Sequence, residues 1–145
     1  MSLNAPNLKV FVVVLAYNAQ KTIKNVIDDI PYEWVDKIVI SDDDSTDKTY
    51  SVSKTISGVE LIKNKKNLHM GGNQKVVYNY AIENGADIVV VLHGDNQYDA
   101  SKIPDMIKPI INSEADVVIG SRILGGMALK GGMPKYKYLG NNLLN

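Results

Sequence analysis

The feature that most constrains the fold is a series of short apolar runs that alternate with amphipathic segments. The first run, residues 8–15, is rich in β-branched side chains and shows no polar alternation, as expected for a strand that is buried on both faces. Strands and helices that alternate along a chain are typical of a mostly parallel sheet covered by helices. The pattern therefore predicts an α/β fold.

Five strands and four complete helices are predicted. The strands fall at residues 8–15, 37–40, 59–62, 88–92 and 117–119, and the helices fall at residues 19–30, 46–55, 71–85 and 101–111. Ser101 is expected to cap the last of these helices, with Pro104 tolerated in its first turn.

Composition excludes several classes of protein. The 145 residues carry 16 basic and 16 acidic side chains, whereas general nucleic-acid and anionic-membrane binders are usually basic. The chain contains no cysteine, which excludes a disulfide scaffold, thiol catalysis and a Cys-ligated zinc site. The longest apolar run, residues 10–16, is too short to span a bilayer, and no signal peptide is recognisable, so we expect a cytoplasmic protein.

The two ends of the chain are interpreted separately. Residues 1–7 are interpreted as a leader and residues 8–145 as one domain. A further helix is expected to begin at Tyr136, and its apolar part at residues 139–144 has no terminator and nothing to pack against. This predicts the N-terminal portion of a longer protein, and a homo-oligomer formed through the exposed apolar surface.

Residues able to carry chemistry follow four of the predicted strands. Ligands of an open α/β sheet bind at the carboxyl ends of its strands, so these residues are expected to share one edge. They are Ala16, Tyr17 and Asn18 after the first strand, Asp42 to Asp47 after the second, His93 to Gln97 after the fourth, and Gly120, Ser121 and Arg122 after the fifth.

The acidic segment after the second strand combines two kinds of residue. Ser45, Thr46 and Asp47 are interpreted as caps of the following helix, because such side chains accept from free N–H groups at a helix start. Asp42 and Asp43 precede the cap, where two adjacent carboxylates need donors or a ligand. A nucleoside offers donors in its base N–H groups and ribose hydroxyls, so a nucleoside site is favoured for this pair.

A second acidic site follows the fourth strand. Asp95 stands at the tip of an apolar strand beside Gly94, which permits close approach, and this arrangement suits a hard divalent cation shared with phosphates. An ordinary Gly-Asp-Asn turn is the alternative. His93 is interpreted as a packed, hydrogen-bonded histidine rather than as a metal ligand.

Two weaker features concern phosphate and backbone contacts. Arg122 could clamp a phosphate by paired hydrogen bonds or be a solvated surface residue. Gly71 and Gly72 open the long helix, where glycine lets backbone N–H groups approach a ligand. The sequence lacks a phosphate loop, a dinucleotide fingerprint and a nucleophile elbow, so nucleotide hydrolysis, hydride transfer and serine hydrolysis lose their usual signatures.

Taken in order, these segments resemble a family 2 glycosyltransferase of the GT-A fold. The acidic run resembles the family signature Val-Asp-Asp-Gly-Ser-Thr-Asp, and the fourth strand ends at the place of the Asp-x-Asp motif. The similar segments are Leu15-Ala16-Tyr17-Asn18, Ile40 to Asp47, residues 67–72, Val91 to Tyr98, and Gly120-Ser121-Arg122 with the Gly-rich loop after it. The His-Gly-Asp-Asn-Gln-Tyr segment favours the polyprenyl-phosphate branch, which includes enzymes similar to dolichol-phosphate mannose synthase.

The resemblance implies a Rossmann-like, three-layer α/β/α sandwich that binds a UDP- or GDP-sugar. Tyr17, Asp42 and Asp43 would hold the base and ribose, Asp95 would ligate Mg²⁺ or Mn²⁺ bridging the phosphates, and Arg122 would lie near the pyrophosphate or sugar. The implied reaction is transfer with inversion to a lipid phosphate, a glycan or another acceptor. The full-length protein would then work at the cytoplasmic face of a membrane.

Three features depart from the family pattern. His93 replaces the first Asp of Asp-x-Asp, and Asp44 stands where glycine is common. The catalytic base and the acceptor-binding half would lie beyond Asn145, so weak donor binding and poor sugar transfer are expected of this chain alone. The alternatives are a pseudoenzyme marked by His93, and a receiver-like Mg²⁺-binding module, which would need a lysine after the fifth strand.

Overall fold

The sheet is parallel throughout the described part of the chain. The computed structural model describes residues 8–121, 134–137 and 140. Its strands are ordered β3-β2-β1-β4, and all three neighbouring pairs are parallel. They are β1 (Val10–Ala16), β2 (Lys37–Asp42), β3 (Val59–Lys63) and β4 (Ile88–His93). The predicted α/β class with a mostly parallel sheet is confirmed.

Helices connect the strands, as the sequence predicts. They are α1 (Ile23–Asp28), α2 (Thr49–Ser53), α3 (His69–Glu83) and α4 (Ile103–Ile111), with 3₁₀ turns at Tyr32–Trp34 and Ala100–Lys102. The predicted cap at Ser101 is wrong, because the Asp99 carboxylate accepts the Ser101 N–H at 3.0 Å and caps the 3₁₀ turn that precedes α4. Pro104 does lie in the first turn of α4.

Two packed layers cover the sheet. Successive β1 side chains point to opposite faces, so Val12 and Val14 pack in a core cluster with α1 and α4, whereas Val13 and Leu15 pack with Val77 of α3. All seven residues of β1 are buried. The strand without polar alternation therefore lies inside the sheet, with a neighbour on each side, and the fold has three layers.

The predicted fifth strand does not form. Residues 117–119 carry no strand in the structure, and the side chains of Val117 and Ile119 are 74% and 85% exposed. An apolar run becomes a strand only when a neighbouring strand shares its hydrogen bonds, and β4 pairs only with β1 among the described residues.

Several sequence predictions fall outside the described residues. They are the leader at residues 1–7, Arg122, the Gly-rich loop after it, and most of the helix predicted from Tyr136, of which residues 136, 137 and 140 are described and are helical. None of the helices in the described ranges combines the length and apolar content needed to cross a bilayer.

Candidate functional site

The carboxyl ends of β1, β2 and β4 meet at one edge of the sheet, as predicted. Ala16 is in register with Asp42, and Leu15 is in register with His93. A cleft of ≈ 280 Å³ opens there, surrounded by Leu15, Ala16, Tyr17, Ala19, Asp43, Asn67, His69, Met70, Asn73, His93, Gly94 and Asp95.

The cleft brings together six of the predicted site residues: Ala16, Tyr17, Asp43, His93, Gly94 and Asp95. Four others do not line it: Asn18, Asp42, Gly71 and Gly72. Asn18 borders a neighbouring cleft of ≈ 390 Å³, which shares Tyr17, Ala19 and Asp95 with the first. Tyr17 and Asp95 therefore stand where the two clefts meet.

Four further cleft residues come from the chain after β3: Asn67 precedes α3, and His69, Met70 and Asn73 lie in the first two turns of α3. None of the four is assigned a role from the sequence. Residues 67–72 carry part of the family resemblance, but they follow neither strand nor helix periodicity, so only the glycines were given a role. Their position after β3, at the carboxyl edge of the sheet, is the feature of the sequence that could have identified them as site residues.

The two adjacent aspartates have different surroundings. Asp43 is 3% exposed and lines the cleft, and its Oδ1 accepts from Asn64 Nδ2 at 2.8 Å and from the Leu68 N–H at 2.9 Å. Asp42 is fully buried, and its Oδ2 accepts the Ser45 N–H at 3.4 Å while its Oδ1 has no partner in the described structure. Only Asp43 is placed to meet a ligand in the cleft.

The loops after β1 and β2 are bound to each other by side chains. Asn18 Oδ1 accepts the Thr46 N–H at 2.9 Å, and Ser45 Oγ accepts the Asn18 N–H at 2.9 Å. Ser45 and Thr46 therefore join the two loops and do not cap α2, contrary to their interpretation as caps. Of the three proposed caps, only Asp47 reaches the helix, where its Oδ1 accepts the Thr49 N–H at 2.8 Å.

The Asp47 carboxylate is stabilised in its charged form. Burial alone would raise the pKa of Asp47, but hydrogen bonds from the Thr49 side chain, the Thr49 N–H and the Gln20 N–H outweigh it and lower this pKa. Thr49 Oγ1 in turn accepts the Ala19 N–H at 2.7 Å. The hydrogen bond from Ala19 to Thr49 thus fixes the loop that carries Tyr17 to the start of α2.

The backbone conformation at Asp44 explains why this position commonly holds glycine in the family pattern. Its φ is +59°, in the left-handed region that side chains with a Cβ enter at a cost and that glycine enters freely. Asp44 adopts the required turn conformation all the same, since aspartate tolerates this region better than most residues.

Replacement of Asp44 by glycine should therefore stabilise the fold. We expect Asp44→Gly to raise the free energy of unfolding by about 0.5 kcal/mol, because strain is relieved while the turn stays the same. Urea unfolding measures the change. The opposite exchange, Gly58→Ala, is the control: Gly58 has φ +75° and open space around its Cβ position, so a loss of stability is expected. A destabilised Asp44→Gly would mean that the carboxylate makes a necessary contact.

The end of β4 places His93 and Asp95 on the cleft. The His93 ring packs edge-to-face on Tyr98, with centroids 5.3 Å apart. Asp95 is exposed, and its Oδ1 accepts the Gln97 N–H at 3.1 Å in a local turn. The two interpretations of Asp95 are therefore compatible, because a turn carboxylate on the rim of the cleft can also meet a cation.

Gly94 is closely packed, with little room for a side chain. A Cβ at this position would lie 3.2 Å from Ala19 Cβ, 3.3 Å from Ile23 Cδ1 and 3.4 Å from the Leu15 carbonyl oxygen. The Gly94 N–H donates to that carbonyl at 2.9 Å, and its own carbonyl accepts from Thr22 Oγ1 at 2.6 Å. The loop after β1 and the Asp95 turn are thereby fixed against each other.

The paired glycines stand at the start of the long helix, as expected, but away from the cleft. Gly71 and Gly72 lie in the first turn of α3 and do not border the cleft. A Cβ on Gly72 would lie 2.7 Å from Leu68 Cβ, whereas a Cβ on Gly71 would meet nothing within 4 Å. Gly72 is explained by packing of the turn before α3.

Comparison with known proteins decides the family. The model of glycosyl transferase family 2 matches residues 11–144. The chain belongs to glycosyl transferase family 2. The alternative interpretation of the chain as a receiver-like Mg²⁺-binding module is therefore wrong.

Two curated relatives have names that include a dolichol or dolichyl phosphate. The UDP-N-acetylglucosamine--dolichyl-phosphate N-acetylglucosaminyltransferase of Methanococcus voltae is 34% identical, over 91% of this chain and 59% of that protein. The dolichol-phosphate mannosyltransferase of Pyrococcus furiosus is 29% identical, over 82% of this chain and 34% of that protein. The chain thus spans about three fifths of the first relative and about a third of the second.

A solved structure with the same fold carries a donor sugar. Glucosyl-3-phosphoglycerate synthase of Mycobacterium tuberculosis, in complex with Mn²⁺, UDP-glucose and phosphoglyceric acid, is 25% identical with a TM-score of 0.60. The similarity covers 74% of this chain and 41% of that one. It confirms the Rossmann-like GT-A fold for this family 2 chain.

Proposed function

We propose that this chain forms the nucleotide-sugar-binding part of an inverting glycosyltransferase that uses a UDP-sugar. The observation that carries the proposal is the single cleft into which three parallel strands bring Tyr17, Asp43 and Asp95. The name of the Methanococcus relative includes UDP-N-acetylglucosamine, and the Mycobacterium structure holds UDP-glucose. Both support UDP over GDP as the donor nucleotide.

Tyr17 and Asp43 would hold the nucleoside. Within the described residues, both donors to the Asp43 carboxylate bind its Oδ1, so Oδ2 is left to accept from the N–H of a base or from a ribose hydroxyl. Tyr17 is 51% exposed and offers a ring face on which a base can stack.

Asp95 would hold a divalent cation, and the residues present fit one. Among residues 8–121, 134–137 and 140, no three His, Asp or Glu side chains converge on a common point, so most ligands would come from the diphosphate and water. One or two carboxylates together with substrate phosphates is the usual arrangement for Mg²⁺, and Mn²⁺ prefers similar oxygen ligands. When bound, the cation offsets the negative charge of the departing diphosphate.

A lipid phosphate is the proposed acceptor. The names of both curated relatives refer to a dolichol phosphate. A phosphate monoester carries close to two negative charges at neutral pH, so its oxygen can attack the anomeric carbon without a general base, as the bond to the diphosphate breaks. A hydroxyl acceptor would need a base, and none of the described residues is assigned that role.

Calorimetric titration of the chain with UDP, GDP and CDP, each with and without Mn²⁺, tests the proposal. We expect UDP to bind most tightly and Mn²⁺ to strengthen its binding. Uridine is the control, because it lacks phosphates and should show no metal dependence. Binding that favours GDP would overturn the choice of donor, and the absence of any nucleotide binding would contradict the proposed site.

A further inference from the structure

A buried polar network at the wall of the cleft joins three elements and ends at Asp43. Ser41 lies on β2, Asn64 follows β3 and Asn73 lies in α3, and these residues are 0%, 8% and 2% exposed. Asn73 Oδ1 accepts from Ser41 Oγ and, at 3.0 Å, from Asn64 Nδ2. Asn64 Nδ2 also donates to Asp43 Oδ1 at 2.8 Å. The Asp43 carboxylate is thus connected to α3 through one amide.

The backbone decides which way both amides face. Asn73 Nδ2 donates to the Ser41 carbonyl oxygen at 3.2 Å. Because a carbonyl can only accept, the Asn73 nitrogen must lie on that side, and its Oδ1 must face Ser41 Oγ and Asn64. Asn64 must then present its nitrogen, since an oxygen there would face two acceptors. Each orientation follows from the one before it.

The same arrangement sets the orientation of the Asp43 carboxylate. Its Oδ1 accepts from Asn64 Nδ2 and from the Leu68 N–H, and these two buried hydrogen bonds restrict how the carboxylate can turn. If the Asn64 amide turned over, its oxygen would oppose Asp43 Oδ1, and the carboxylate would lose a donor and gain a repulsive contact.

We infer that Asn73 is a positioning residue for nucleotide recognition: it holds the Asn64 amide, and through it the Asp43 carboxylate, in the orientation that accepts hydrogen bonds from the nucleoside. The inference rests on the proposed function. Ser41 strengthens this hold, because its hydroxyl stands where the family signature has valine and gives Asn73 Oδ1 a second donor. Ser41 does not border the cleft, so it acts on a ligand only through the network.

The chain offers a matched pair of buried serines for the test. Ser41 is 0% exposed and belongs to the network, whereas Ser53 on α2 is 1% exposed and its Oγ has no partner in the described structure. We compare Ser41→Ala with Ser53→Ala, and add Asn73→Ala. For each variant, calorimetry with Mn²⁺ gives the Kd for UDP and for inorganic pyrophosphate, which has no nucleoside.

We expect the network variants to lose affinity for UDP, which contains a nucleoside, but not for pyrophosphate, which does not. Ser41→Ala should weaken UDP binding about fivefold, the equivalent of one lost hydrogen bond, and leave pyrophosphate binding unchanged. Ser53→Ala should change neither. Asn73→Ala should weaken UDP binding by more than Ser41→Ala, again without an effect on pyrophosphate.

Other results overturn the inference and are distinguishable from failure of the proposed function. An unchanged UDP affinity in Ser41→Ala, or an equal loss for UDP and pyrophosphate, would mean that the network supports only the fold. If Asn73→Ala does not fold, Ser41→Ala alone decides, since it removes one atom and leaves Asn73 its contact with Asn64. The proposed function itself fails if the wild-type chain binds UDP no better than pyrophosphate.

Discussion

Asp95→Asn should abolish most of the Mn²⁺-dependent part of UDP binding. The amide keeps an oxygen that can accept the Gln97 N–H, so the turn is preserved, but it loses the negative charge that a hard cation prefers. Removal of even an indirect partner of a metal costs about 10–100-fold in affinity, so we expect a loss of at least about tenfold for a direct ligand. Calorimetry of both proteins with UDP, with and without Mn²⁺, measures it.

Asp99→Asn is the matched control for this experiment. Asp99 is also exposed, and its Oδ1 accepts the N–H two residues later at 3.0 Å, as Asp95 does at 3.1 Å. It does not border the cleft, so its replacement should leave UDP binding and its metal dependence as they are. Equal metal dependence in wild type and Asp95→Asn would mean that Asp95 serves only its turn and that the cation binds elsewhere.

Gly94→Val should have the largest effect on stability. Its branched side chain would collide with Ala19, Ile23 and the Leu15 carbonyl oxygen, all within 3.4 Å of the Cβ position. Two of these neighbours are buried side chains and the third is backbone, so the valine side chain fits only if these neighbours shift. Overpacking of this kind lowers the free energy of unfolding by about 1–3 kcal/mol, and we expect the upper half of that range.

Urea unfolding of Gly94→Val tests this expectation, and UDP titration should show weaker binding because Tyr17 and Asp95 are displaced together. Gly71→Ala is the control for the unfolding measurement: its Cβ would meet nothing within 4 Å, and alanine favours a helix over glycine by about 1 kcal/mol. It should therefore leave stability unchanged or raise it. A Gly94→Val protein as stable as wild type would show that the neighbours of Gly94 shift easily.

The strand ends illustrate how far local pattern carries a prediction. The uniformly apolar run that forms β1 predicts a central strand, because a strand buried on both faces tolerates no polar residue. Parallel strands end at the same edge, so Tyr17, Asp43 and Asp95 could be expected together before any contact was known. The predicted fifth strand was wrong for the converse reason: residues 117–119 have the composition of a strand, but composition does not supply a neighbour.

The difference between Asp42 and Asp43 lay beyond sequence reasoning. Both are acidic and adjacent at the end of one strand, and alternation along a strand does not continue into the turn that follows. Which carboxylate meets the cleft depends on the backbone after Asp42 and on donors from Asn64 and Leu68, which come from a different part of the chain.

The sequence by itself determined the α/β class, the order of strands and helices, and the edge at which chemistry could occur, because these follow from local periodicity and from the direction shared by parallel strands. Only the tertiary structure decided that Asn73 supports Asp43, that Gly94 is closely packed, and that Ser45 and Thr46 join two loops. Each of these depends on atoms far apart in sequence being within about 3–4 Å in space, at hydrogen-bond or van der Waals distance, and no periodicity along the chain encodes such a distance.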